Sequence, residues 1–189
     1  MNRRQLLRNS LFGVAGATAA AREFPANYDE SKALAQPDWK PTFLSEHQNQ
    51  TLILLSDLII PETDTPGAKT ALVNRFMDLL LAVESRDTQQ TFLNSLAYLD
   101  GEARRRYGNA LIFLPKETQV ELLEFFAYPN SLETWGEGQV ADQAGHNHFQ
   151  VIKDWVVRIF YSSEAGMQAL GWNGESSHGA LTGCVTKRA

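Results

Sequence analysis

The stretch that decides the fold reads SEHQNQTLILLSDLII over residues 45–60 and PETDTPGA over residues 61–68. Ser45 with Gln48 three residues later is a capping-box pattern, which predicts the start of a helix. Apolar residues then recur at helical spacing, at Leu52, Leu55, Leu58 and Ile59. Pro61 cannot continue the helix. The turn-forming residues that follow Pro61 predict a tight corner that leads into a second helix.

The sequence predicts a second, a third and a fourth helix after the first. In the second helix, one face is formed by Val73, Phe76, Met77 and Leu80. In the third, it is formed by Phe92, Leu93, Leu96 and Leu99. In the fourth, it is formed by Gln119, Leu122, Leu123 and Phe126. Asp87 with Gln90 predicts the start of the third helix, and Gly108 its end after a basic last turn. Pro115 suits the first turn of the fourth helix. Residues 112–114 are predicted to be a short extended piece.

The fifth predicted helix runs from about Phe149 to Ser162 and is apolar on nearly every side. Such a helix is buried on most sides, or buried on one side and docked to a partner on the other. A polar loop is predicted before it, over residues 129–147. The predicted fold is therefore all-α, an irregular bundle of about five helices, with an irregular tail over residues 176–189.

The composition excludes several classes of protein but does not by itself indicate a function. The chain has 189 residues, of which 43% are hydrophobic and 21% charged, as in an ordinary globular fold. Its formal net charge of −5 argues against a basic nucleic-acid-binding surface. The single cysteine excludes an internal disulfide framework. No apolar run reaches the roughly 18 residues expected of a membrane-spanning helix.

The first 21 residues have the layout of a bacterial twin-arginine export signal. Arg3 and Arg4 are followed by Leu6 and Leu7, then by a weakly apolar stretch and an Ala-x-Ala end. We expect a periplasmic protein that passes through the twin-arginine export machinery. Because that route carries folded proteins, often with a cofactor, the chain is expected to hold a cofactor or to travel with a protein that does. Residues 22–44 are predicted to be a linker.

Candidate chemistry within the chain is sparse. His146 and His148 could supply two ligands to a metal ion, but no third ligand is fixed by a motif. Glu62 and Asp64, close to Asp57, could act as paired carboxylates, although acidic residues in such turns more often cap helix starts. There is no C-x-x-C-H motif for attached haem, and the glycines of residues 136–141 follow no predicted strand. We therefore assign no catalytic, cofactor-binding or metal-binding residue.

Large aromatic residues and the lone cysteine are candidates for a partner interface. Trp155, Tyr161 and Trp172 belong to residue types that anchor interfaces, although tryptophans are more often part of a core. Cys184 lies in the patternless tail. In an oxidising compartment an accessible odd thiol tends to pair between molecules, so a disulfide to a partner is one hypothesis. A free or buried thiol without a role is the alternative.

Two blocks of the sequence resemble the gluconate 2-dehydrogenase subunit 3 family. The first block reads SDLIIPETDTPGA over residues 56–68 and continues with Val73, Phe76 and Asp78. The second reads FYSSEAG over residues 160–166 and LGWNG over residues 170–174. The resemblance covers about residues 45–175, which defines a single helical domain.

The resemblance implies a non-catalytic accessory subunit. Such small subunits accompany a large FAD-bearing subunit of the glucose–methanol–choline oxidoreductase type, often with a multihaem cytochrome c subunit. The large subunit usually lacks an export signal, so the small one is thought to carry it across the membrane and to support its maturation. Two alternatives stay open from the residues: a free-standing periplasmic enzyme or metal-binding protein that uses His146 and His148, and a scaffold tethered to the membrane by an uncleaved signal.

Overall fold

The computed structural model describes residues 34–128 and 143–172. Within them the fold is all-α, as predicted, and contains no strand. The helices are α1 Glu46–Ile59, α2 Val73–Val83, α3 Arg86–Tyr107, a 3-10 helix Leu111–Phe113, α4 Lys116–Ala127, α5 Gln143–Ser162 and α6 Glu164–Ala169.

Helix α5 occupies the centre of the bundle. It packs against α1, α2, α3, α4 and α6. Its buried side chains are Phe149, Ile152, Val156, Ile159 and Phe160. These side chains meet the apolar faces predicted for the other helices, which are buried at Leu52, Leu55, Met77, Phe92, Leu96, Leu99, Leu122 and Phe126. One apolar core thus unites residues that are far apart in the sequence.

The structure confirms some of the predicted helix boundaries and differs from others. The capping box at Ser45 and Gln48 is confirmed. Helix α3, however, is capped by Ser85, whose hydroxyl accepts from the Thr88 amide at 3.2 Å, and Asp87 lies in the first turn instead. The end at Gly108 is confirmed, with the left-handed φ of 77° that glycine tolerates best.

Other differences concern short or polar segments. Residues 111–113 form a 3-10 helix and not an extended piece. Pro115 precedes α4 as its N-cap instead of lying in its first turn. Helix α5 starts at Gln143, six residues before the predicted start, so that part of the predicted loop is helical. Helix α6 has six residues and was not predicted from the sequence.

The corner between α1 and α2 closes on itself through the backbone. The Ala68 amide donates to the Ile60 carbonyl at 2.9 Å, and the Val73 amide donates to the Ala68 carbonyl at 3.1 Å. A side chain at Gly67 would place its Cβ 2.6 Å from the Glu62 nitrogen. Only glycine therefore allows the two arms of the corner to approach this closely.

Asp78 on α2 fixes the segment that leads into α1. Its carboxylate is fully buried. One oxygen accepts from the Thr42 amide at 2.7 Å and the Thr42 hydroxyl at 2.8 Å. The other accepts from the amides of Phe43 at 3.0 Å and Leu44 at 2.8 Å. Four donors thus satisfy a charge that would otherwise be costly to bury, and they hold the end of the predicted linker on the domain.

A second acidic site joins α1, α3 and the 3-10 helix. Asp100 accepts from His47 at 2.9 Å, from the Leu111 amide at 2.8 Å and from Arg104 at 3.1 Å. Burial alone raises the pKa of Asp100, but these hydrogen bonds outweigh it, and the pKa lies below its ordinary value of 3.8. The ionised carboxylate therefore fastens three elements together.

Glu102, one half-turn along α3, is held by the basic last turn of the same helix. Arg105 makes two hydrogen bonds of 2.7 Å to its carboxylate, and Arg106 makes one of 3.1 Å. The hydrogen bond from Arg105 is the largest cause that lowers the pKa of Glu102 from 4.5 to about 2, with Arg106 assisting and burial opposing.

We expect Asp78→Asn to destabilise the domain by about 2–3 kcal/mol, because the amide nitrogen that replaces one oxygen cannot accept hydrogen bonds. Urea unfolding followed by circular dichroism measures the loss. Asp64→Asn, at an exposed carboxylate in the corner, is the matched control and should change the free energy of unfolding by less than about 0.5 kcal/mol. Equal effects of the two substitutions would contradict the anchoring role of Asp78.

The lowered pKa of Glu102 makes its contribution to stability depend on pH. The contribution is complete above pH 4.5 and is lost as the pH falls towards about 2, since the folded state prefers the ionised form. At neutral pH, Glu102→Gln should cost about 0.5–1 kcal/mol, because its main partner, Arg105, is largely exposed to solvent. The difference in unfolding free energy from wild type should shrink between about pH 6 and about pH 3.

The exposed Glu121 on α4 supplies the control for this titration. Glu121→Gln should show a smaller and flatter difference from wild type across the same pH range. A Glu102→Gln difference that stays constant as the pH falls would contradict the assignment.

Candidate partner-binding surface

The end of α5 and the short helix α6 form a tightly built corner. The Ser163 hydroxyl donates to the Phe160 carbonyl at 2.6 Å and accepts from the Gly166 amide at 3.1 Å. A Cβ at Gly166 would lie 2.1 Å from the Phe160 carbonyl oxygen and 2.8 Å from the Tyr161 Cα. Serine as the cap and glycine at the contact therefore allow α6 to lie directly on the end of α5.

A left-handed glycine then turns the chain back over α6. Gly171 has a φ of 85°, and its amide donates to the Gln168 carbonyl at 2.8 Å. The Trp172 amide donates to the Met167 carbonyl at 3.0 Å. Since Gly166 touches Tyr161 and Met167 holds Trp172, the backbone places these two aromatic residues at one corner.

Three large apolar side chains point out of this corner. Leu170 is 68% exposed, Tyr161 is 42% exposed and Trp172 is 37% exposed. We name these three residues the C-terminal corner. Exposed large aromatic and aliphatic groups are common on surfaces that bind another protein. Tyr161 and Trp172 were candidates from the sequence. Leu170 is not, because a single leucine at the end of so short a helix gives no periodic signal.

Trp155, the third aromatic candidate, has a different environment. It is half-buried. Its ring meets the edge of Phe92 on α3, with centroids 6.2 Å apart and planes at 82°. The guanidinium of Arg158 lies 5.8 Å from the ring centroid. Trp155 therefore contributes to the packing of α5 against α3.

His146 and His148 are placed on α5 and not in a loop. Residues two apart on an α-helix point about 200° apart, so their rings do not converge on one ion. Nδ1 of His146 donates to the Phe126 carbonyl at 2.8 Å. Nδ1 of His148 lies 3.0 Å from the Ser95 hydroxyl, and its ring stacks on Tyr98 with centroids 4.4 Å apart. The two histidines join α5 to α4 and α3, and this geometry does not favour their use as a metal-binding pair.

The acidic residues of the α1–α2 corner accept hydrogen bonds from threonine hydroxyls of the same connection. Glu62 accepts from the Thr70 hydroxyl at 2.6 Å, and Asp64 accepts from the Thr63 hydroxyl at 2.9 Å. The expectation that they cap the next helix is wrong, since Leu72 is the N-cap of α2 and makes no side-chain cap. Within residues 34–128 and 143–172, no three histidine, cysteine, aspartate or glutamate side chains form a group that could hold a metal ion.

A groove of about 410 Å³ between α1 and α3 is lined by polar groups that include His47, Asp100 and Arg104. His47 and Arg104 both donate hydrogen bonds to the Asp100 carboxylate, as described above. A second groove of about 320 Å³ is lined mainly by α1 residues, with Lys69 and Ile112.

Other candidates fall outside the described residues. These are Arg3, Arg4, Leu6 and Leu7 of the export signal, and Cys184 of the tail. Among the helices that are described, none combines the length and apolarity needed to cross a membrane.

Comparison with known proteins yields one finding. The family described as gluconate 2-dehydrogenase subunit 3 matches residues 46–175, which is 130 of the 189 residues. The match starts at the first residue of α1 and extends beyond the C-terminal corner. No curated protein and no solved structure matches the chain.

We expect Gly166→Ala to displace α6, because the new Cβ would collide with the Phe160 carbonyl. The loss of stability should be about 1–3 kcal/mol, with a shift in tryptophan emission as Trp172 moves. Gly101→Ala on α3 is the matched control. A Cβ there meets nothing within 4 Å, so alanine should stabilise the helix by about 0.5–1 kcal/mol. A neutral Gly166→Ala would contradict the close contact.

Proposed function

Because the chain belongs to the gluconate 2-dehydrogenase subunit 3 family, we propose that it is the non-catalytic small subunit of a periplasmic, membrane-associated, FAD-dependent sugar or sugar-acid dehydrogenase. Family membership itself identifies an accessory subunit of a gluconate 2-dehydrogenase complex. The compartment, the cofactor and the role in export are the parts that we propose.

The family match carries this proposal. It spans the whole helical bundle, from α1 through α6, and not an isolated motif. The residues of the bundle that could have suggested chemistry are used in packing: the two histidines join helices, and Asp78 and Asp100 anchor segments. A subunit that supports a catalytic partner needs a stable fold and a binding surface, and these residues supply the stability.

The proposed role in export follows from the N-terminal sequence. Arg3 and Arg4 precede a weakly apolar segment with an Ala-x-Ala end. A large flavin subunit without its own signal could cross the membrane only in a folded complex with a chain that carries one. In this proposal the small subunit binds the large one in the cytoplasm and brings it to the twin-arginine machinery.

The cofactors are assigned to the partners. FAD would be held by the large subunit, of the glucose–methanol–choline oxidoreductase type, and haem c by a multihaem cytochrome subunit where one is present. The residues of this chain contain neither a C-x-x-C-H motif nor a glycine-rich loop that follows a predicted strand. The substrate would therefore be bound by the large subunit.

The test is to replace Arg3 and Arg4 together by lysine in a strain that also makes the large subunit. Lysine keeps the charge but lacks the planar guanidinium that the export machinery is expected to recognise. Both proteins should stay in the cytoplasm, and periplasmic dehydrogenase activity should fall at least about tenfold. Immunoblots of the two fractions and an activity assay with an artificial electron acceptor give the readout.

Arg8→Lys, which changes an arginine outside the pair, is the matched control and should leave export unchanged. Export of the large subunit despite retention of the small one would overturn the carrier role. Unchanged periplasmic yield of both would show that the arginine pair is not the signal.

A further inference from the structure

The groove between α1 and α3 contains an aspartate, a histidine and an arginine that meet at one carboxylate. Its volume of about 410 Å³ lies within the range of small-molecule sites. Asp100 is buried, at 8% exposure, and its carboxylate accepts from His47 and Arg104, which both line the groove. A buried acceptor thus holds the histidine and the arginine in place beside the open space.

The bond to Asp100 determines which nitrogen of His47 carries the proton. Although burial raises the pKa of Asp100, its hydrogen bonds lower it further, so the carboxylate is ionised at neutral pH and can only accept. Nε2 of His47 therefore donates to it, at 2.9 Å. In the neutral ring this leaves Nδ1 as an acceptor, and Nδ1 makes no hydrogen bond to a described residue. The ring thus has an oriented acceptor that a ligand can use.

Arg104 uses only part of its guanidinium within the chain. Its Nε donates to Asp100 at 3.1 Å, and its side chain is 57% exposed. The two Nη groups make no hydrogen bond to a described residue. They form a planar edge that matches the two oxygens of a carboxylate. Because the ionised Asp100 lies beside this edge, a singly charged anion is favoured over a phosphate dianion.

Gly101 keeps the groove open on the side of α3. It lies inside that helix, where glycine is less stabilising than alanine. A Cβ at Gly101 would meet no atom of the described residues within 4 Å, so internal packing does not require glycine there. Leu96 and Ala97 line the same groove and add apolar surface. The groove therefore has room for a small carbon skeleton beside its polar groups.

We propose that this groove binds a small hydroxycarboxylate, which is a carboxylate with a hydroxyl on the neighbouring carbon. The carboxylate pairs with the Nη groups of Arg104, the hydroxyl donates to Nδ1 of His47, and the carbon skeleton lies at Gly101. This inference is independent of the proposed function, because the chain binds the ligand by itself.

The experiment titrates the purified full chain with L-lactate at constant ionic strength and follows the backbone amide signals by NMR. Two matched ligands each lack one group: propionate has no hydroxyl, and propane-1,2-diol has an alcohol in place of the carboxylate. Lactate should bind with a Kd of about 1–10 mM, as expected for so few atoms. Propionate should bind at least about threefold more weakly, and the diol should give no saturable shift.

Two substitutions test the position of the site. Gly101→Leu should weaken lactate binding at least about tenfold, because the new side chain occupies the groove. Thr91→Leu, at an exposed position of α3 outside the groove, is its control. Arg104→Gln should also weaken binding at least about tenfold, whereas Arg105→Gln, at the neighbouring arginine outside the groove, should leave it unchanged within about twofold.

A third substitution tests the hydroxyl contact. His47→Gln keeps an N–H that can donate to Asp100 but lacks the second ring nitrogen. It should remove the preference for lactate over propionate, a readout that a purely structural role of His47 would not change. An undiminished preference would overturn the assignment of the hydroxyl to His47.

Circular dichroism of the free variants establishes that each is folded. Unchanged lactate affinity in folded Gly101→Leu and Arg104→Gln would overturn the site, and so would equal affinity for the diol. An acidic side chain of another protein is the other source of a carboxylate. If N-acetyl-L-glutamic acid α-amide, whose only carboxylate is that of the side chain, binds more tightly than lactate, the assignment to a small hydroxycarboxylate is overturned.

Discussion

The buried carboxylate of Asp78 is the contact on which the arrangement of the first half of the bundle depends. An ionised group without solvent is tolerated only when its hydrogen-bonding capacity is filled, and here all four donors come from residues 42–44. This requirement fixes where the chain stands immediately before Ser45, and therefore where α1 begins relative to α2. The corner at residues 60–68 joins these two helices at their other end, so they are constrained by hydrogen bonds at both ends and by apolar contact between.

A similar principle fastens the remaining helices to α5. Asp100 holds the 3-10 helix and α1 to α3, and the histidines of α5 reach the Phe126 carbonyl on α4 and the Ser95 hydroxyl on α3. Each of these polar groups satisfies a partner on another element. Apolar burial supplies most of the driving force for folding, whereas directional bonds select one arrangement among the many that would bury the same side chains. Residues that resemble catalytic candidates by type are thereby used to specify the fold.

Sequence patterns predicted those helices whose apolar residues repeat at 3.6-residue spacing. Leu52 with Leu55, and Leu122 with Phe126, are examples, and the capping box at Ser45 marked a true start.

The patterns failed where structure depends on tertiary contacts. The first turns of α5 read as a polar loop because AGHNH has no apolar period, and its histidines gain partners only once α3 and α4 are in place. Ser85 and Asp87 are both common N-cap residues, so the sequence does not distinguish between them; the structure shows that Ser85 is the N-cap. Of the corner, Tyr161 and Trp172 could be selected as aromatic residues, but the role of Leu170 depends on Gly166 and Gly171, whose importance appears only when the backbone is built.

Buried carboxylates and exposed apolar side chains occur in different parts of the described chain. Near α1, α2 and α3, the carboxylates of Asp78 and Asp100 accept hydrogen bonds from other parts of the chain. At the end of α5 and just after α6, Tyr161, Leu170 and Trp172 are exposed, and the turn at Gly171 fixes the backbone around them. Exposed apolar surface is unfavourable in water, and both Leu170, at 68%, and Phe113, at 72%, contribute to it. In a member of a subunit family, contact with another chain is one physical way to remove such surface from water.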